Sequence, residues 1–355
     1  MASQVKRYAF INAKLRARIS KLLSVDILER FVNAPTLHDA LAHLRGTPYG
    51  LLEEIYNKTG DVKACEFELF KQEVKLYREI EGYMEGEVVD VVRALVTSYE
   101  IENLKNALRF FFTRRVKAQG REAELNYLYQ EKIIHEFDPI RVATAQSFAN
   151  VVEELSTTPY AQILEDCRDS VEREASLFPV EVAFDHYYYR NLIESAENLG
   201  KADRQEALRL FGVEIDLQNI NWIIRFKSFY NLPLEKVMSL SIPSGFKGTE
   251  KSIIEAYSSQ SIRDILEGIV RRSYPGVATL LSTPVEDTHS RLLLIERILE
   301  EILNHEVLRI LSGYPFTIGI ILSYLILKKN EVRRIRIILL AKQLKLPKER
   351  IRGLI

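Results

Sequence analysis

Three stretches, "SYEIENLKNALRFFFTRR" (residues 98–115), "GVEIDLQNINWIIRFKSF" (212–229) and "KKNEVRRIRIILLAKQLK" (328–345), read as one amphipathic pattern written three times. Aligned on their acidic residue, Glu100, Asp216 and Glu331, the copies lie 116 and 115 residues apart. One place on are Ile101, Leu217 and Val332, and four places on are Leu104, Ile220 and Ile335. Apolar matches of this kind arise between any two amphipathic helices, so the polar ones carry more weight. Asn103 matches Asn219 three places on, Arg109 matches Arg225 nine on, and Lys227 matches Lys342 eleven on. The copies also depart from one another: Arg334 and Leu340 stand where the third should have Asn and Arg, and Phe111 stands at the lysine position of the first.

A second motif repeats upstream of each stretch. "TLHDALAHLRGTPYGLLEE" starts at Thr36, "SFANVVEELSTTPYAQILED" at Ser147 and "SIRDILEGIVRRSYPGVATLL" at Ser261. Each opens on a hydroxyl residue suited to N-capping, and Asp39 and Asp264 follow as first-turn acids. Thr47-Pro48-Tyr49 and Thr158-Pro159-Tyr160 then predict a second helix, with threonine as its cap and proline at its first position. Two motifs in the same order at nearly the same period make the chain a triplication. A period near 115 is too long for a solenoid, whose units run roughly 20–50 residues. Three small helical domains are expected, at 1–120, 121–234 and 235–355, in a pseudo-threefold arrangement suited to a rotationally symmetric partner.

The rest of the chain agrees with an all-α fold. Charged stretches with apolar residues three and four apart dominate, and strand patterns are scarce. The 355 residues are 47% hydrophobic and 28% charged, with a net charge of zero, which argues against a dedicated nucleic-acid binder. Cys65 and Cys167 lack metal-ligand spacing and read as inert thiols. The N-terminal stretch has no apolar segment of the signal-peptide kind. From Ile310 to Leu327 eighteen residues carry no charge, marginally enough for a membrane span. Gly313 and Pro315 interrupt that run, and the proline predicts a buried core helix opening at Phe316. No Gly-rich phosphate loop occurs, so no nucleotide or other cofactor is expected. Among the six histidines only His38 and His43 are neighbours, and five residues apart is a poor fit to one helical face. Tyr187, Tyr188 and Tyr189 point to different sides of a helix, which suits packing better than base stacking.

Several stretches together resemble a known family. These are "RYAFINAKLRARISKLL", "HYYYRNLIESAENL", the three acid-initiated helices and the closing "PFTIGIILSYLILKKNEVRRIRIILLAKQLKLPKERIRGLI". Spread over essentially the whole chain, they resemble the C subunits of archaeal and bacterial A-type/V-type ATPases, whose eukaryotic counterpart is the d subunit of the vacuolar proton pump. The closing stretch is the most specific, with Pro315, the apolar helix, Glu331, Arg333, Arg336 and Lys342 in place and Arg334 at the family's asparagine. The resemblance implies a non-catalytic, funnel-shaped rotor part, one copy per complex. It would sit peripherally on the cytoplasmic face of the membrane proteolipid ring and receive the foot of the central shaft, built from the D and F subunits. Torque between ATP chemistry and ion translocation would pass through it.

The charges of the repeated helix divide by position. At 100° per residue, Glu331, Ile335, Ile338 and Lys342 share one stripe, as do Asp216, Ile220, Ile223 and Lys227. An acid and a lysine three turns apart cannot pair, and an unpaired buried charge is costly. These four charges are therefore expected to tie helices together inside a unit. Arg109, Arg225, Arg333 and Arg336 lie off the stripe and are expected to meet partners. Residues 328–355 hold ten Lys/Arg against two Glu, suited to an acidic partner or to lipid headgroups. A DNA-binding or scaffold role is the rival reading of "AKQLKLPKERI", but it leaves the triplication unexplained.

Overall fold

The computed structural model describes residues 2–117, 122–226, 232–245 and 288–355. Among the described residues the regular structure is helical, without a strand. The N-terminal helices are α1 (Ala2–Ile19), α2 (Val25–Asn33), α3 (Leu37–Ala42) and α4 (Leu51–Thr59), and the longer α5 (Val62–Glu81) and α6 (Glu87–Lys117) follow. A 3₁₀ turn, Glu122–Tyr127, leads to α7 (Pro139–Thr144), α8 (Phe148–Glu154) and α9 (Tyr160–Glu174). Then come α10 (Phe178–Glu197), α11 (Lys201–Arg225) and α12 (Leu234–Leu240). The last described helices are α13 (Thr288–Ser312), α14 (Gly319–Gln343) and α15 (Lys348–Leu354).

The element order repeats as the sequence does. A long helix followed by the acid-bearing helix occurs three times, as α5–α6, α10–α11 and α13–α14. The hydroxyl-capped motif occurs twice among the described residues; its third version, from Ser261, lies outside them, as do Asp264 and Lys227. Thr36 caps α3 by accepting from the Asp39 N–H, and Ser147 caps α8 by accepting from Asn150. At the following Thr-Pro-Tyr the expected cap is replaced by a turn. Thr47 Oγ1 donates to the Leu44 carbonyl at 2.6 Å and accepts from Tyr49 N at 3.1 Å. Thr158 repeats this with Leu155 at 2.8 Å and Tyr160 at 3.2 Å. The hydroxyl thus closes the preceding turn, and the helices begin later, at Leu51 and Tyr160.

The described chain packs as two units. One joins the N-terminal residues through Glu53 with Ala196–Ile355; the other is Glu54–Ser195. In the second unit α6 packs on α5 and α7, around a core that includes Leu104, Leu108, Val142, Val151, Tyr160 and Phe184. Tyr187 and Tyr188 pack against that core, as their position on a helix suggests. In the first unit α14 packs on α1, α3, α11 and α13. Its stripe of Glu331, Ile335 and Ile338 is buried, with Lys342 at the edge.

The apolar run from Ile310 begins in the last turn of α13 and breaks at Gly313. Helix α14 opens at Gly319, three residues later than the proline predicts. The reason is a buried carboxylate: Asp203 Oδ1 accepts from Ile318 N at 2.8 Å, and Thr317 Oγ1 accepts from Gly319 N at 3.2 Å. These two groups satisfy N–H groups that the helix start leaves open. Glycine is required at 319 because a Cβ there would lie 2.5 Å from Ile310 Cγ2 on α13. No helix among the described residues is long and apolar enough to cross a membrane.

Candidate functional site: the buried acids of the repeated helices

Carboxylates are rarely buried without partners. Glu100, Asp216 and Glu331 are 1%, 2% and 7% exposed, so whatever meets them is part of the fold. Around Glu100, Oε2 accepts the backbone N–H groups of Ile134 at 2.6 Å and His135 at 2.7 Å. Oε1 meets His135 Nδ1 at 2.6 Å and accepts the Tyr160 hydroxyl at 2.8 Å. Burial, then the nearby Glu100 charge and the hydrogen bond to it, push the Tyr160 hydroxyl far above the ordinary tyrosine value. Tyr160 therefore stays a donor.

Glu331 is held in the same way by different parts of the chain. It accepts from Leu23 N at 2.5 Å, from the Tyr49 hydroxyl, and from Lys328 Nζ at 2.9 Å. Tyr49 and Tyr160 are the same residue of the Thr-Pro-Tyr motif, and Leu23 precedes Tyr49 by as many residues as Ile134 precedes Tyr160. The acid of one sequence copy therefore binds the tyrosine of the next: copy one reaches copy two at Glu100, and copy three reaches copy one at Glu331. The side-chain nitrogen differs between the two ties. His135 serves Glu100, whereas Lys328 serves Glu331 while lying over the Tyr49 ring, 4.4 Å from its centroid.

The repeated asparagine also has one job. Asn103 donates to the Tyr129 carbonyl at 2.8 Å and accepts from Tyr129 N at 2.9 Å. Asn219 does both with Ile242, each at 2.8 Å. Tyr129 and Ile242 lie outside helices, so their peptide groups need a partner. In the third copy Arg334 stands at this position and pairs with Glu300 of α13 at 2.6 Å.

The lysine end of the stripe shows a similar substitution of parts. Lys342 Nζ donates to the carbonyls of Val32 at 2.9 Å and Ala34 at 2.5 Å, at the C-terminal end of α2. Burial lowers its pKa, and the Asp39 carboxylate opposes that. In copy one Phe111 fills the position, and Arg114 donates to Thr144, the last residue of α7, at 3.3 Å. Both cations sit where a helix end exposes carbonyls.

The four arginines off the stripe are placed as follows. Arg109 is 47% exposed and pairs with Glu181 at 2.8 Å and Glu102 at 3.5 Å. Arg333 pairs with Glu300, and Arg336 is partly exposed. Arg225 ends α11, and its side chain lies outside the described residues. Within the basic C-terminal segment Lys328, Arg333, Arg334, Lys342 and Arg352 are each bound to a carboxylate or to carbonyls of the same unit. At least five of its ten cations thus have partners within the unit, which weakens the case for a nucleic-acid interface.

The sequence locates the acids but not their partners. Tyr49, Tyr160 and His135 carry no signal of pairing on their own; only the shared Thr-Pro-Tyr offers one. Asp203 gives no signal either, although it is 2% exposed and also accepts the Tyr8 hydroxyl at 2.8 Å.

A repeated all-helical body fastened by buried acids defines a structural component rather than a reaction site, and comparison with known proteins agrees. The ATP synthase (C/AC39) subunit family matches residues 11–354, and the chain belongs to it. It is thus a non-catalytic component of a rotary ATPase assembly. The A-type ATP synthase C subunit of Methanothermobacter thermautotrophicus is 25% identical over 338 residues, 95% of this chain and 84% of that one. That of Methanocaldococcus jannaschii is 24% identical over 365 aligned residues, covering 100% and 88%. That of Methanococcoides burtonii is 22% identical, covering 98% and 93%.

Proposed function

We propose that the chain is the central-stalk rotor part of an A-type ATP synthase. In this reading it sits peripherally on the cytoplasmic face of the proteolipid ring and is the socket for the D and F subunits of the shaft. It transmits torque between ATP chemistry and ion translocation. Three repeated units, 1–120, 121–234 and 235–355, would surround one axis in a funnel. The observation that carries this is the acid-to-tyrosine tie, which links one sequence copy to the next at Glu100 and again, from last copy to first, at Glu331. A relation that leads from the last copy back to the first suits rotation about an axis better than a row.

Asp216, Lys227, Glu331 and Lys342 are proposed to hold helices together, and Arg109, Arg225, Arg333 and Arg336 to face partners. Co-purification from membranes tests the assignment. The ring and the D and F shaft components should come down together, and the protein should leave loosened complexes without detergent. Arg333→Ala with Arg336→Ala should weaken that recovery with little change in melting temperature, because Glu300 keeps Arg334. Normal recovery with a large melting shift would reverse the roles.

A further inference from the structure

We infer that residues 2–53 form a clasp that can leave the C-terminal helices as one piece while the rest of the chain stays folded. α1 and α3 pack on α14, and the Tyr8 hydroxyl donates to Asp203 at 2.8 Å; beyond these the segment is held by a polar latch centred on Glu331. That one carboxylate binds both the Leu23 N–H, just before α2, and the Tyr49 hydroxyl, after α3. Both ends of the α2–α3 stretch therefore depend on a single side chain. Lys342 holds the end of α2, Arg352 pairs with Glu29 at 2.9 Å, and Arg16 donates to the Leu311 carbonyl at 3.0 Å.

The same chemistry at Glu100 is local: its partners lie 34 to 60 residues along the chain. At Glu331 the separations are 282 and 308 residues. Loop-closure entropy grows with the length of chain between partners, so the distant tie is the costlier one to re-form once broken. Within the segment, Arg45 grips Glu53 with two nitrogens, at 2.6 and 2.5 Å, bracing the end of α3 against the first turn of α4. The piece therefore moves as a body rather than melting from its end. Its departure uncovers the part of α14 on which α1 and α3 pack. The clasp does not depend on the rotor reading.

Hydrogen exchange with mass-spectrometric readout, on the purified full chain, tests it. Tyr49→Phe removes one hydroxyl and keeps the ring; Glu331→Gln weakens the whole latch. In both, amides of α1, α2 and α3 should exchange roughly tenfold or more faster as a group, since a hydrogen bond to a charged partner is lost; faster exchange of α2 and α3 with α1 unchanged would overturn the inference. Amides of α7 to α9 should keep their wild-type rates. Glu100→Gln should do the reverse. The inference is overturned if Tyr49→Phe speeds exchange equally in both units. It is also overturned if α2 and α3 stay as protected as in the wild type, or if Glu100→Gln releases residues 2–53. Should Glu331→Gln fail to fold, Tyr49→Phe decides alone.

Discussion

Replacing Glu100 with alanine should cost this protein about 3–5 kcal/mol, and the figure can be worked from the donors left behind. The side chain now receives two backbone N–H groups, an imidazole nitrogen and a phenol hydroxyl. The imidazole is 27% exposed and can turn to water, so it adds little. Three donors remain, the Tyr160 hydroxyl buried and the two N–H groups partly buried, each costing up to about 1–3 kcal/mol when orphaned. Relaxation and water entry keep the total below their full sum, within the range found when one partner of a buried charged network is removed. Glu100→Gln retains one carbonyl acceptor and should cost about half as much. Urea unfolding followed by far-ultraviolet circular dichroism measures the shift. The only tryptophan, Trp222, lies on α11 in the other unit, so its fluorescence shows whether the loss stays local. A cost below about 1 kcal/mol for the alanine variant would refute the reasoning, because it would mean that those donors find water freely.

Gly319→Ala should destabilise by about 1–3 kcal/mol, since the added carbon overlaps Ile310 and the start of α14 must move; thermal melting would show it. Asn103→Ala and Asn219→Ala should each lose about 1–3 kcal/mol by freeing a buried peptide, whereas Arg334→Ala should lose under about 1 kcal/mol, measured by urea titration. Burial works against the Glu306 carboxylate, but Arg209 and Arg309 outweigh it and hold its pKa below the usual range. A depressed carboxylate adds stability that is present above the ordinary value of about 4.3 and lost as pH falls through its folded value. Glu306→Gln should therefore flatten the acid limb of the melting-temperature profile.

Much of the fold is legible in the sequence because helix periodicity and capping are local. The hydroxyl at 36 or 147 finds its donor three residues away, and the stripe from Glu331 to Lys342 repeats with the helix itself. Tertiary partners are not legible. Pro315 points to a helix opening at Phe316 because proline usually does so; Asp203, over a hundred residues earlier, settles the start at Gly319 instead. Arg334 looks like a lost asparagine, and only the structure supplies its partner, Glu300 on α13. Thr47 and Thr158 have the right side chain for a cap, but the turn before them takes the hydroxyl.

The ties at Glu100 and Glu331 join the close of one sequence copy to the opening of the next. A single copy alone would therefore own a carboxylate at one end and a tyrosine at the other, each answered only by another molecule. Such a precursor would be sticky at both ends and would reach completion only in company. Fusing copies into one gene replaces that company with covalent neighbours, fixes the number of participants and removes the dependence on concentration.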